Sequence, residues 1–210
     1  MRLVLLALEF SVLFIALPLL IYLRVIPNLP IPYLLFGAIA VILLVHRSPG
    51  FSFAQLFSTS NILPNLGPLL LRDFVCMVFL GLAVRLFAPD LLFSFVRRAP
   101  ALWALVMLLY PLVSVLPQEL LYRVFFFQRY EPLFGNGWAM LLASALAFGF
   151  VHIIFGNWLS VILCIFGGFL FALTYHSSGS LLLACLDHAI FGNFIFTIGL
   201  GKFFYHGSRF

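Results

Sequence analysis

Nine side chains in this sequence carry ionisable chemistry into long apolar runs, and five of them form a pattern: Glu119, Arg123, His152, Asp187 and His188. An ionisable group inside a transmembrane segment costs about 2.5–3.5 kcal/mol on insertion scales, so its presence there is by default a functional hypothesis. Glu119 and Arg123 lie in Pro117-Gln118-Glu119-Leu120-Leu121-Tyr122-Arg123, where Pro117 suits the first turn of a helix. Their i,i+4 spacing puts both on one helix face, close enough to pair. His152 and His188 open two segments that echo each other as HxxFGN. The first runs from His152 to Asn157 and the second from His188 to Asn193.

A carboxylate and a histidine can together take a proton from water and aim it at a carbonyl. A second histidine and an amide can donate hydrogen bonds to the oxyanion that forms. Glu119, His152, His188 and an asparagine therefore make up the parts list for hydrolysis of an amide bond. The same Glu and two His could hold zinc with one open position, but the HExxH spacing of zinc proteases is absent. No cofactor is expected, and a divalent metal such as zinc stays open. Two other readings compete. One is a structural ion pair between Glu119 and Arg123 that staples helices. The other is a transporter or proton relay, which membrane-embedded Glu, Asp and His also mark; the HxxFGN echo is too short to count as an inverted repeat.

These side chains need helices in a bilayer to position them. The chain has 210 residues, of which 65% are hydrophobic and only 8% charged, against about 25% charged in soluble domains. Mean hydropathy is +1.22. So few charges cannot cover a soluble surface of this size. Strands of a spanning barrel would alternate polar and apolar, and these runs do not. The expected fold is all-α: a polytopic transmembrane bundle of seven or eight helical segments, forming one membrane domain over 1–210. Helices are expected at about 3–23, 33–45, 69–88, 101–116 followed by another helix or a kinked continuation to 128, 138–155, 159–175 and 180–199. Pro111 and Pro117 supply the kink. Residues 46–68, with Arg47, Pro49, Gly50, Pro64 and Gly67, read as a broken polar connection. The first apolar run has no small-residue cleavage site and is interrupted by Glu9, so it is expected to be retained as a helix. Glu9 has no recognisable partner in the sequence. Arg72, Asp73 and Arg85, placed toward helix ends, are expected to snorkel or pair. Three cysteines in apolar stretches argue against a disulfide framework. The net charge of +5 is what loops between membrane helices carry, and no basic run suggests nucleic-acid binding.

The ordered set of segments resembles the CAAX protease and bacteriocin-processing family of intramembrane endopeptidases, also called Abi, whose pattern is EExxxR, then FxxxH, then HxxxN. The resemblance covers about residues 100–199; residues 1–99 carry none of it and read as N-terminal helices. Glu119 and Arg123 match the second Glu and the Arg of the first motif, Phe148 and His152 match the second motif, and His188 matches the third. The resemblance implies an intramembrane protease acting on a membrane-bound protein or peptide, prenylated or not, in the inner membrane of a bacterium. On that pattern the first Glu and the motif-two His activate water; here Glu119 would take over the first Glu's role beside His152, and His188 with Asn193 would stabilise the oxyanion. Gln118, Arg123, Phe148, Asn157 and Asp187 would support them. Two positions depart from the pattern. Gln118 stands at the first Glu position, and Gln cannot accept a proton as a base. A member of the family that binds a partner without cutting is the alternative this raises. Gly192 stands where Asn is expected, with Asn193 one residue later. On a regular helix that step turns the side chain by about 100°. A π-bulge or a helix end would bring Asn193 back toward the site, and Asn157 is another candidate amide.

Overall fold

Long apolar runs separated by Pro and Gly become helices, because only a helix satisfies its own backbone in hydrocarbon. The computed structural model describes residues 1–46, 59 and 61–204. Eight helices are found among them: α1 Arg2–Tyr22, α2 Pro30–His46, α3 Ile62–Phe87, the short α4 Ser94–Arg98, α5 Pro100–Phe134, α6 Trp138–Phe155, α7 Trp158–Ser178 and α8 Leu181–Thr197. No strand occurs among the described residues. Four of the helices, α1, α5, α6 and α7, are long and apolar enough to cross a membrane. The chain is an all-α membrane helix bundle.

Two expectations change. Arg47, Pro49 and Gly50, read as part of a broken connection, lie outside the described residues, but Pro64 and Gly67 are helical. Pro64 falls in the first turn of α3, where a missing N–H leaves no bond unmade. The early start also moves Arg72 and Asp73 from a helix end to mid-helix.

The region around Pro111 and Pro117 is one continuous element. Helix α5 runs for 35 residues, about 52 Å at 1.5 Å per residue, which exceeds a hydrocarbon core of about 30 Å. Instead of breaking at its prolines, it widens into two π-helical turns, Pro111–Val115 and Leu120–Phe125. Such turns absorb an extra residue and are frequent at functional sites. Here they bracket Gln118 and Glu119.

Glycines bring α6 and α7 together. A Cβ on Gly149 would fall 2.2 Å from Ile165 Cγ1 and 2.9 Å from the Ile165 backbone nitrogen. One on Gly168 would fall 2.8 Å from the Phe148 ring. Small residues at a membrane helix crossing allow this approach. Gly156 and Gly179, both with left-handed φ near +70° and +64°, end α6 and α7. Asn157 then caps α7, its Oδ1 accepting from Ser160 N at 2.9 Å. On the other side, Phe10 and Phe14 of α1 pack edge-on against Tyr122, Phe126 and Tyr130 of α5. Helix α5 is thus held from both sides, with the polar segment at its centre.

Candidate functional site

Glu119 is fully buried at the centre of the bundle. Its Oε1 accepts a hydrogen bond from His188 Nδ1 of α8 at 2.9 Å. Its Oε2 lies 3.1 Å from Arg123 Nε, although the N–H is not aimed along that line. Arg123 is also fully buried. It donates through Nη1 to Ser144 Oγ (2.6 Å) and Tyr122 O (3.1 Å), and through Nη2 to Gly168 O (3.2 Å). Its guanidinium carbon stands 5.4 Å from the centre of the Phe148 ring. The i,i+4 pair is present, and it is tied into α6 and α7 through Ser144 and Gly168.

His188 is held on every side. Its ring stacks on Phe171, with centroids 4.4 Å apart and planes 14° apart, and meets Phe148 edge-on at 5.4 Å. With Nδ1–H given to the carboxylate, Nε2 is left for the Tyr110 hydroxyl, 3.1 Å away. A buried carboxylate fixing one imidazole nitrogen sets the role of the other. Tyr110, Glu119 and His188 therefore form a chain that crosses from α5 to α8 and back.

His152 sits where α6 narrows into a short 3-10 turn, His152–Phe155. Its Nδ1 bonds the Phe148 carbonyl at 2.7 Å, so Nδ1 carries the donated proton and Nε2 keeps its lone pair. The Phe148 ring touches both imidazoles, 5.0 Å from His152 and 5.4 Å from His188. Motif-two phenylalanine is thus the spacer between the two histidines.

Both histidines line a cavity of about 1070 Å³ that also exposes Tyr110, Gln118, Phe148 and Gly192. The rest of its wall is mainly Leu, Ile, Val and Phe from α1, α2, α5, α6 and α7. An apolar cleft with a few convergent polar groups is the usual form of a binding site. Gln118 donates through Nε2 to Ser114 Oγ (2.7 Å) and Ser114 O (3.1 Å), which fixes which end of its amide is committed. Glu119 is not on the cavity wall; it reaches the cavity only through His188.

The remaining sequence candidates lie elsewhere. Asn193 stays on regular helix, since the π-helical turns among the described residues are in α1 and α5 and not in α8. Its Nδ2 donates to Met107 O at 3.4 Å. That carbonyl is four residues before Pro111, which has no N–H to offer it. Asn157 caps α7 and donates to Phe203 O at 2.8 Å. Neither amide is brought to the two histidines. Asp187 belongs to a second buried cluster. Arg72 Nη2 is 2.7 Å from Asp187 Oδ2 and 2.7 Å from Asp73 Oδ1. Thr174 Oγ1 donates to Asp187 Oδ2 at 2.5 Å. Asp73 and Asp187 are both fully buried, so this cluster clamps α3 to α7 and α8. Glu9 does have a partner: Arg129 Nε and Nη2 bond its two oxygens at 2.8 and 2.5 Å, and the Tyr130 hydroxyl donates to it at 3.2 Å.

Sequence reasoning passed over Tyr110, Ser144 and Thr174. Hydroxyls raise little suspicion in an apolar run. The one available signal was Tyr110 standing directly before Pro111. Among the described residues, no group of three or more His, Cys, Asp or Glu is placed to hold a metal ion.

Comparison with known proteins bears on the same stretch. Residues 100–194 match a family model described as type II CAAX prenyl endopeptidase Rce1-like. The match begins with α5 and ends within α8, and so spans every residue of the Tyr110–Glu119–His188 chain together with His152. It bears out the resemblance to the CAAX protease family that the three motifs carry. No curated protein and no solved structure matches the chain.

Proposed function

We propose that this integral membrane protein, whose residues 100–194 are of the CAAX prenyl endopeptidase type, is an intramembrane endopeptidase that hydrolyses a peptide bond of a membrane-associated protein or peptide. The observation that carries this reading is the shared cavity. His152, with Nδ1 committed to Phe148 O and Nε2 left for other partners, lines a largely apolar chamber together with His188 and Gln118.

The chemistry follows from those positions. A water in the cavity gives a proton to His152 Nε2 as its oxygen bonds to the scissile carbonyl carbon. The carbonyl electron pair moves to oxygen, and donors on the His188 side stabilise that oxyanion. Collapse reforms the C=O bond, breaks the C–N bond and passes the His152 proton to the leaving amine. The products are one new carboxyl and one new amino terminus. Gln118 cannot take the proton, but its free amide oxygen can accept from the water and aim it. Glu119 acts through His188: it fixes the imidazole tautomer and balances any positive charge there. Arg123 holds Glu119 in place. The apolar wall would accept a lipid-like or strongly hydrophobic portion of the substrate.

The test is cleavage in proteoliposomes of a farnesylated C-terminal CaaX peptide and of an unprenylated hydrophobic helix, with products identified by mass spectrometry. New termini from either substrate support the reading. A second reading, a family member that binds a partner without cutting, draws on Gln118 at the position where the family pattern has Glu. Gln118→Glu separates the two. Absence of cleavage by the native chain, with cleavage newly created in Gln118→Glu, would assign the protein to the second reading.

A further inference from the structure

Gly192 and Tyr110 occupy one place in space. A Cβ built on Gly192 would lie 2.3 Å from Tyr110 Cε1, 2.4 Å from its hydroxyl oxygen and 2.6 Å from Cζ. No side chain fits at position 192 while Tyr110 stands there. The phenol thus fills the volume that a residue at 192 would take, four residues after His188 and one helical turn along α8. That is the position at which the motif HxxxN places its amide. The hydroxyl is 3.1 Å from His188 Nε2, and Tyr110 lines the cavity with His188, His152 and Gln118. Asn193, the nearest amide in sequence, donates instead to Met107 O.

We propose that Tyr110 is a catalytic residue of this site: its hydroxyl is the hydrogen-bond donor to the oxyanion, in place of the amide missing at position 192. The proposal rests on the endopeptidase reading above. While His188 is neutral, its Nδ1–H belongs to Glu119 and its Nε2 accepts from the Tyr110 O–H. When a substrate carbonyl enters the cavity beside His188, the phenolic O–H turns from Nε2 to the carbonyl oxygen and donates to the oxyanion as negative charge builds there. Until then Glu119, His188 and Tyr110 form one hydrogen-bonded chain that holds the phenol at the cavity wall. Gly192, where the motif pattern has Asn, is then one half of an exchange whose other half is Tyr110.

The exchange is testable with paired variants. Tyr110→Phe keeps the ring and its packing and removes only the hydroxyl. Loss of one oxyanion donor costs about 10²–10³ in kcat, with KM little changed. Tyr110→Ala opens the space, and adding Gly192→Asn to it puts an amide where the phenol was. The double variant is expected to recover at least about tenfold of the kcat lost in Tyr110→Ala, on the scale of that donor effect. His152→Ala serves as the reference for the reaction itself. If the native chain cleaves, His152→Ala does not, and Tyr110→Phe cleaves with native kcat, the assignment of Tyr110 is overturned and the endopeptidase reading stands. If His152→Ala cleaves as well as the native chain, or the native chain cuts nothing, the endopeptidase reading falls and takes this assignment with it. A Tyr110→Phe protein that fails to fold leaves the decision to the second pair. There, recovery in the double variant supports the exchange, and no recovery overturns it.

Discussion

His188 Nδ1 and Glu119 Oε1 are 2.9 Å apart, although 69 residues separate them in the chain. This one bond joins α5 to α8 and fixes the tautomer of a cavity-lining imidazole by means of a carboxylate that does not itself line the cavity. On the endopeptidase reading proposed above, Glu119 acts as a positioning residue. Its loss should therefore be felt twice, in fold and in rate.

Removing Glu119 leaves Arg123 buried without its counter-charge. Breaking a buried pair by deleting one partner costs about 3–5 kcal/mol. Glu119→Ala should lower the thermal unfolding midpoint in detergent well beyond what Arg129→Ala does. The Arg129–Glu9 pair is half-exposed, and exposed pairs contribute about 0.2–1 kcal/mol. Equal shifts for the two variants would contradict the reading of Glu119–Arg123 as the central pair.

Arg72 stands between two fully buried carboxylates, Asp73 and Asp187. Arg72→Leu should destabilise the protein by about 3–5 kcal/mol, since it strands both. Adding Asp73→Asn and Asp187→Asn should recover part of that loss. The measurement is unfolding of the single and triple variants side by side. A triple variant less stable than Arg72→Leu alone would show that the carboxylates are not stranded by loss of the arginine.

Gly149 of α6 packs directly against Ile165 of α7. In Gly149→Ala the new methyl would meet the Ile165 backbone, which cannot rotate away. Overpacking of this kind costs about 1–3 kcal/mol. Because Phe148 and His152 flank Gly149 on the same helix, cleavage should fall together with stability. Gly137→Ala, where nothing lies within 4 Å of the new methyl, is the control. Like losses in both would remove the packing explanation.

The bundle was legible because hydrocarbon leaves so few choices. Apolar runs and Pro/Gly breaks placed seven of the eight helices near their observed positions. The i,i+4 pair of Glu119 and Arg123 could be read because it depends only on helical pitch. What could not be read depended on a change of pitch or on a distant partner. Tyr110 and Glu119 are nine residues apart, which on a regular helix puts them about 180° apart. The π-helical turn at Pro111–Val115 inserts a residue and brings them to about 80°, so that both reach His188. Proline at 111 predicts a kink and not this outcome. Asp73 looked like a helix-end residue because Pro64, Gly67 and Pro68 read as loop, yet α3 begins at Ile62. Glu9 found Arg129 across the bundle, a pairing that no local spacing encodes. Asn193 was expected near the site if a π-bulge or a helix end turned it there; the π-helical turns among the described residues lie in α1 and α5, and α8 continues to Thr197.

The most direct measurement is the turnover of one cleaved membrane peptide by the native chain and by His152→Ala, both shown to be folded and monodisperse in the same detergent. The expected result is native cleavage at a single bond and loss of at least about 10²-fold in kcat in the variant, the scale of a missing general base. Equal turnover by the two proteins would contradict the assignment of His152 as the base.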